Sequence, residues 1–257
     1  MTERTEYANG ELCWVDLAPR DQAKAKAFYG GLFGWTTEDV DTRGGPPYAL
    51  FRHDGALVAA VGQLSQEMID ADVPSTWVSY VNVADAEATS RAAVEAGGTV
   101  TVPVTPVMDA GRLAFIAGPC GATIGLWERG AHFGAERVNE PGAFCWNELA
   151  TRTPATTLAF YERVFGWTAT PVEAPSPYWL LENEGRRNAG VIEMNEAWAG
   201  IQPHWGVYFA VADADATVAR AREIGGANPV PPFDTAAGRM AVLIDDQGTT
   251  FSVVRLP

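Results

Sequence analysis

The sequence predicts an α+β protein built from four βαβββ modules, paired into two tandem halves. Three observations carry this: an internal repeat, alternating strand-period and helix-period apolar patterns, and glycine turns that close the elements. Gly10 to Thr36, GELCWVDLAPRDQAKAKAFYGGLFGWT, returns at Gly142 to Thr168 as GAFCWNELATRTPATTLAFYERVFGWT, with 14 of 27 positions identical. The matches include the residues least easily exchanged, Cys13/Cys145, Trp14/Trp146, Phe28-Tyr29/Phe160-Tyr161 and Phe33-Gly34-Trp35/Phe165-Gly166-Trp167, so the chain is a duplication. Further on, Pro47-Tyr48 answers Pro177-Tyr178, Trp77-x-x-Tyr80 answers Trp205-x-x-Tyr208, and Gly111-Arg112 answers Gly238-Arg239.

Glu11 to Ala18 alternates as a strand, and Gln22 to Phe33 carries apolar residues at Ala25, Phe28, Tyr29 and Leu32, a helical spacing that Gly34 ends. Tyr48 to Arg52 and Leu57 to Leu64 read as strands joined by a turn at His53-Asp54-Gly55, with room for one more. After a looser stretch the plan restarts: strand Thr76 to Val83, helix Ala86 to Ala96 closed by Gly97-Gly98, then strands Thr99 to Val107, Arg112 to Ala117 and Thr123 to Trp127. The expected division is a first domain over 1–128, a polar linker over 129–141 and a second domain over 142–257, each half long enough for its own core.

A net charge of −14 with no Lys/Arg run argues against nucleic acid or an anionic membrane surface as partner. The N-terminus has no apolar signal core and no stretch is apolar enough to span a bilayer, so a cytoplasmic protein is expected. Cys13 and Cys145 read as buried small hydrophobes, and Cys120 as the more exposed thiol.

The strand-helix signature ending in Phe28-Tyr29 and Phe33-Gly34-Trp35, with its second copy, resembles the first module of the vicinal oxygen chelate superfamily. That group includes glyoxalase I, bleomycin-resistance proteins and extradiol dioxygenases. Gly121 to Trp127 and Gly248 to Val254 are similar to its closing strands. The resemblance covers nearly the whole chain and implies tandem glyoxalase-like domains with curved mixed sheets, each wrapping a cleft. It does not fix a reaction. In metal-using members it implies ligands at positions that map here to Trp14, Val78 and Gly125, and to Trp146, Gly206 and Ser252, none of them His or carboxylate. The first modules' closing strands supply only Gln63 and Glu193. A divalent ion needs three or four N, O or S donors, so no metal and no other cofactor is expected.

Strand alternation shows what the clefts hold instead. If Trp14 faces the cleft so does Asp16, joined by Tyr80 and Asn82; the second half presents Trp146, Glu148, His204 and Tyr208, while Trp77 and Trp205 fall on the core parity. Each cleft is thus an aromatic pocket with few polar handles, the make-up of a small-molecule site. Asp16 and Glu148 are candidate bases if a dry pocket raises their pKa, against the alternative of a carboxylate bonded to a neighbouring Arg or Tyr. His204 is the best acid/base candidate, because it follows Pro203 just before a strand, on the cleft parity, with neutral and charged forms both accessible near pH 7. The first half has Thr76 there and Gln63 where the second has Glu193, so any chemistry is expected in the second half. Arg112 and Arg239 either grip a ligand or bridge to an acid. His53, in a turn, and His132, in the linker, are expected to be solvated.

The expected ligand set is Trp14, Gln63, Tyr80, Arg112, Trp146, Tyr208 and Arg239, with His204, Glu193, Glu148 and Asp16 as candidate catalytic groups. The expected function is metal-independent sequestration or tailoring of an apolar or aromatic metabolite such as a natural product. The alternatives are a metal-dependent lyase, isomerase or dioxygenase resembling glyoxalase I, and an interaction module with vestigial clefts. The partner is a small-molecule ligand, and the chain is a monomer or homodimer.

Overall fold

The computed structural model describes residues 3–257. The first half runs β1 (Leu12–Ala18), α1 (Gln22–Phe33), β2 (Thr36–Val40), β3 (Tyr48–His53), β4 (Ala56–Gly62), α2 (Gln66–Asp70), β5 (Thr76–Asn82), α3 (Ala86–Glu95), β6 (Thr99–Val107), β7 (Gly111–Ala117) and β8 (Thr123–Arg129). The second repeats it as β9 (Phe144–Thr151), α4 (Pro154–Phe165), β10 (Thr168–Val172), β11 (Tyr178–Asn183), β12 (Arg186–Glu193), β13 (His204–Ala210), α5 (Ala214–Glu223), β14 (Phe233–Thr235), β15 (Gly238–Ile244) and β16 (Thr250–Arg255). β2 and β10 are the strands for which the sequence left room; their residues are nearly all exposed, so no apolar alternation announces them.

Each half is one eight-stranded mixed sheet, ordered β2-β3-β4-β1-β5-β8-β7-β6 and β10-β11-β12-β9-β13-β16-β15-β14. The modules are fused where β1 runs antiparallel to β5, and β9 to β13. Helix ends follow the local chemistry. The Asp21, Asp85 and Asp213 side chains accept from the backbone N–H three residues on. Gly34 and Gly166 close α1 and α4 at φ 72° and 73°, a left-handed conformation that suits glycine.

Length suits a separate core for each half, but the cores are shared across the duplication. One cluster joins Phe28, Tyr29, Trp35 and Phe51 of the first module to Phe209, Phe251 and Val253 of the fourth. The other joins Val81, Ile116, Ile124 and Leu126 of the second module to Phe160, Tyr161, Trp167 and Val191 of the third. A reciprocal pair of hydrogen bonds locks the arrangement: Trp35 Nε1 donates to Gly142 O at 2.7 Å, and Trp167 Nε1 to Gly10 O at 2.8 Å. Trp77 and Trp205 are core as expected, 3% and 6% exposed, each donating to the buried hydroxyl of Tyr29 or Tyr161. The helices and cores therefore lie between the sheets, which leaves the other face of each sheet as its cleft.

Candidate functional site

Each cleft carries the same four-residue constellation. On β1, Asp16 follows Trp14 at strand period, and on β5 Tyr80 pairs with Trp14, so the Tyr80 hydroxyl reaches Asp16 Oδ2 at 3.0 Å. Tyr48 on β3 brings a second hydroxyl to the same oxygen at 3.4 Å. In the second half, Tyr208 donates to Glu148 Oε1 at 2.7 Å, and Trp146 Nε1 donates to the Tyr178 hydroxyl at 3.0 Å. The second-half arrangement depends on Gly190, paired with Glu148 across β12 and β9. A methyl there would sit 2.6 Å from Tyr178 Cζ and 3.0 Å from Trp146 Nε1.

Both carboxylates are electrostatically stressed. Burial pushes Asp16 up to about 7, against the pull of the Tyr80 and Tyr48 hydrogen bonds. Burial also raises Glu148, against hydrogen bonds from Tyr208 and Tyr178 and the nearby charge of His204. The same burial raises all four tyrosines, so they are neutral donors at any working pH. Cys145 lies beside this site, but burial lifts its thiol to about 12, which leaves it unreactive.

The clefts differ in what covers them. The linker, expected to be a polar, solvated connection, folds back into cleft one. His132 sets its ring edge-on to Trp14, centroids 4.5 Å apart, and 5.6 Å from Trp127. Phe133 packs against the core, and Ala135 N donates to Cys13 O at 2.9 Å. His132 is thus half-buried rather than solvated, and desolvation pulls its pKa down to about 4. His53 is likewise 23% exposed, with Nδ1 buried and unpartnered. Among the described residues, no aromatic ring packs on Trp146 as His132 does on Trp14. Trp146 and Tyr208 are half-buried where Trp14 and Tyr80 are both 4% exposed.

The remaining candidates lie elsewhere. Gln63 shares the parity of core residue Val61, and its side-chain oxygen accepts from Gln22 N at 3.2 Å, at the start of α1. Glu193 pairs with buried Thr151 and shares the parity of Val191, on the face opposite Glu148. Arg112 bridges to Glu87 at 3.1 Å and Glu128 at 3.3 Å, and Arg239 to Asp215 and Asp234, so both arginines tie strands to helices α3 and α5. His204 stands at the rim of cleft two, its Nδ1 2.8 Å from Gln202 O and its ring near Trp198. Sequence reasoning missed Tyr48, Tyr178 and His132. The repeated Pro-Tyr pair was the available signal for the tyrosines, and apolar Phe133 and Val138 inside the linker were the signal for its burial.

The donor set fits a metal poorly. The Tyr80 ring sits over Gly125, where a Cβ would come within 2.2 Å of it, so a ligating side chain at 125 and this tyrosine exclude one another. Among the described residues, no three His, Cys, Asp or Glu side chains gather closely enough to hold an ion. The ligand positions implied by the resemblance are filled by Trp, Val, Gly and Ser, and a tyrosine-carboxylate network stands where a metal centre would.

Residues 12–126 match the family model of the Glyoxalase/Bleomycin resistance protein/Dioxygenase superfamily, and residues 144–254 match that of the Glyoxalase-like domain. A Mycobacterium bovis protein provisionally named as the glyoxylase CFP32 is 41% identical over 99% of this chain and 98% of its own length. The anthracycline biosynthesis protein DauV of Streptomyces sp. (strain C5) is 37% identical over 98% of this chain and 95% of its own. Among solved structures, the Mn(II)-bound glyoxalase from Novosphingobium aromaticivorans is similar with a TM-score of 0.63 at 14% identity, over 100% of this chain and 85% of that one. The 2,2',3-trihydroxybiphenyl 1,2-dioxygenase of Sphingomonas wittichii also gives 0.63, at 13% identity, over 96% and 91%. With both halves matched and full-length relatives above 30% identity, the chain belongs to the glyoxalase/bleomycin resistance protein/dioxygenase superfamily as a tandem two-domain member.

Proposed function

We propose that cleft two is a metal-independent site for an apolar aromatic metabolite bearing hydroxyl or carbonyl groups, and that cleft one is structural. The observation that carries this reading is the asymmetry at the paired tryptophans: His132 covers Trp14, whereas Trp146 stays half-exposed beside Glu148 and Tyr208. A ring stacked on Trp146 gains apolar burial and aromatic contact. Glu148 supplies an acceptor, and Tyr208 and Tyr178 hold that carboxylate in place. A carboxylate whose pKa is raised by partial desolvation suits exchange of a proton with a ligand hydroxyl, so Glu148 is the acid/base group of this reading, with His204 at the rim. The full-length relative named for anthracycline biosynthesis is in keeping with a fused-ring aromatic ligand.

The test is native mass spectrometry with elemental analysis on protein purified without chelators or a metal column. The expected result is no stoichiometric transition metal, together with retained binding of an aromatic probe. A stoichiometric metal that the probe requires would refute the reading.

A further inference from the structure

We infer that the groove beyond Trp146 is a subsite for an acidic substituent, so that the compound held in cleft two is an aromatic acid; this rests on the cleft-two reading above. The other half supplies the template. By the strand registers, Arg187 stands where the first half has Leu57, and Cys145 where it has Cys13. In the first half the linker lies across that pair. Ala135 N donates to Cys13 O at 2.9 Å, and Glu136 N to Leu57 O at 2.8 Å. The Glu136 carboxylate accepts from Leu57 N at 2.7 Å and stands 3.7 Å from the Arg52 guanidinium. His132, four residues earlier, lays its ring against Trp14. One short segment therefore places an aromatic ring on the cleft tryptophan and a carboxylate at the strand end.

In the second half the same place is a cavity of about 270 Å³ bordered by Cys145, Trp146, Arg187 and Asn188, with Arg4 and Glu11 opposite. Whole-ligand sites occupy roughly 300 to 1,000 Å³, so this volume suits a substituent reaching past Trp146. The charge has moved to match. Glu182 occupies the register position of Arg52, and the cation is now at 187. Arg4 is engaged by Glu11 at 2.8 Å, whereas Arg187 is exposed and has no carboxylate within 4 Å among the described residues. In a chain of net charge −14, a guanidinium that borders an aromatic cleft and stays more than 4 Å from the carboxylate of its cross-strand neighbour Glu182 presents paired donors that fit a ligand carboxylate.

The experiment titrates anthraquinone-2-carboxylate and anthraquinone-2-carboxamide into the full chain, Arg187→Ala and Trp146→Ala, by calorimetry at low and high salt. The expected result is acid binding about tenfold tighter than amide in the parent chain, a preference equivalent to ~1.4 kcal/mol. Arg187→Ala abolishes that preference by weakening the acid more than the amide, Trp146→Ala weakens both probes, and high salt shrinks the preference because Arg187 is exposed. Equal binding of acid and amide, or a preference surviving Arg187→Ala, with Trp146→Ala still weakening both, overturns the subsite alone. Failure of both probes to bind, or Trp146→Ala binding both as the parent does, overturns the cleft-two reading and the subsite with it.

Discussion

Gly190→Ala tests the constellation at its tightest point. The new methyl would lie 2.6 Å from Tyr178 Cζ and closer still to the hydroxyl, so Tyr178 must swing away. That breaks the 3.0 Å bond from Trp146 Nε1. A hydrogen bond of this kind contributes about 1 kcal/mol, and overpacking adds about 1–3 kcal/mol where neighbours cannot yield. Tyr178 is only half-buried and can move outward, so a total of about 1–3 kcal/mol is expected. For a chain of this size that is roughly 3–10 °C in Tm. Gly206→Ala is the internal control, because the nearest atoms to its added methyl are at 3.7 and 3.9 Å, ordinary contact. Thermal melts by circular dichroism read both. Gly190→Ala melting with the parent, or Gly206→Ala losing as much, would refute the geometry argued for the cleft.

Other perturbations separate effects that oppose one another in the parent chain. Asp16 is raised from 3.8 to about 7, so the fold favours its protonated form; that contribution is complete below pH 4 and is lost as pH rises through 7. Asp16→Asn should therefore gain on the parent by about 2–4 kcal/mol between pH 4 and 8 in urea melts, and a constant difference across that range would contradict the shift. His132 has the opposite sign: lowered from 6.5 to about 4, it favours the fold above pH 6.5 and that stability is lost as pH falls toward 4. His132→Phe should flatten the acid limb of the same melts, and an unchanged limb would place His132 in solvent. Trp35→Phe strands the buried Gly142 carbonyl, whereas Trp167→Phe leaves Gly10 O its bond from Asn188 Nδ2 at 3.0 Å. Trp35→Phe should be the costlier by about 1 kcal/mol in chemical denaturation; the reverse order would count against the lock.

The fold was legible because duplication wrote each element twice, and residues such as Phe28, Tyr29, Gly34 and Trp35 are fixed by packing and turn geometry that local pattern reports. The helix Gln22–Phe33 and the strand Thr99–Val107 fall where periodicity puts them. Cleft parity was legible too, since β alternation extended the cleft positions that the family resemblance mapped onto Trp14 and Val78 to Asp16 and Tyr80 on the same face. Alternation could not reveal that the cores are exchanged between halves, because a buried Phe209 reads the same whichever helix covers it. Nor could it reveal that a linker rich in glycine and charge lies over Trp14, since that depends on where the chain returns in space. Glu193 and Gln63 misled for the opposite reason: their residue types suit a site, but one step of register puts them on the helix side.

The account stands or falls on the inequality of the two clefts. The direct measurement is the stoichiometry of a fused-ring aromatic probe by calorimetry on the parent chain, Trp14→Phe and Trp146→Ala. One equivalent bound, retained in Trp14→Phe and lost in Trp146→Ala, is the predicted result. Two equivalents, or a site that vanishes with Trp14 and survives without Trp146, would contradict it.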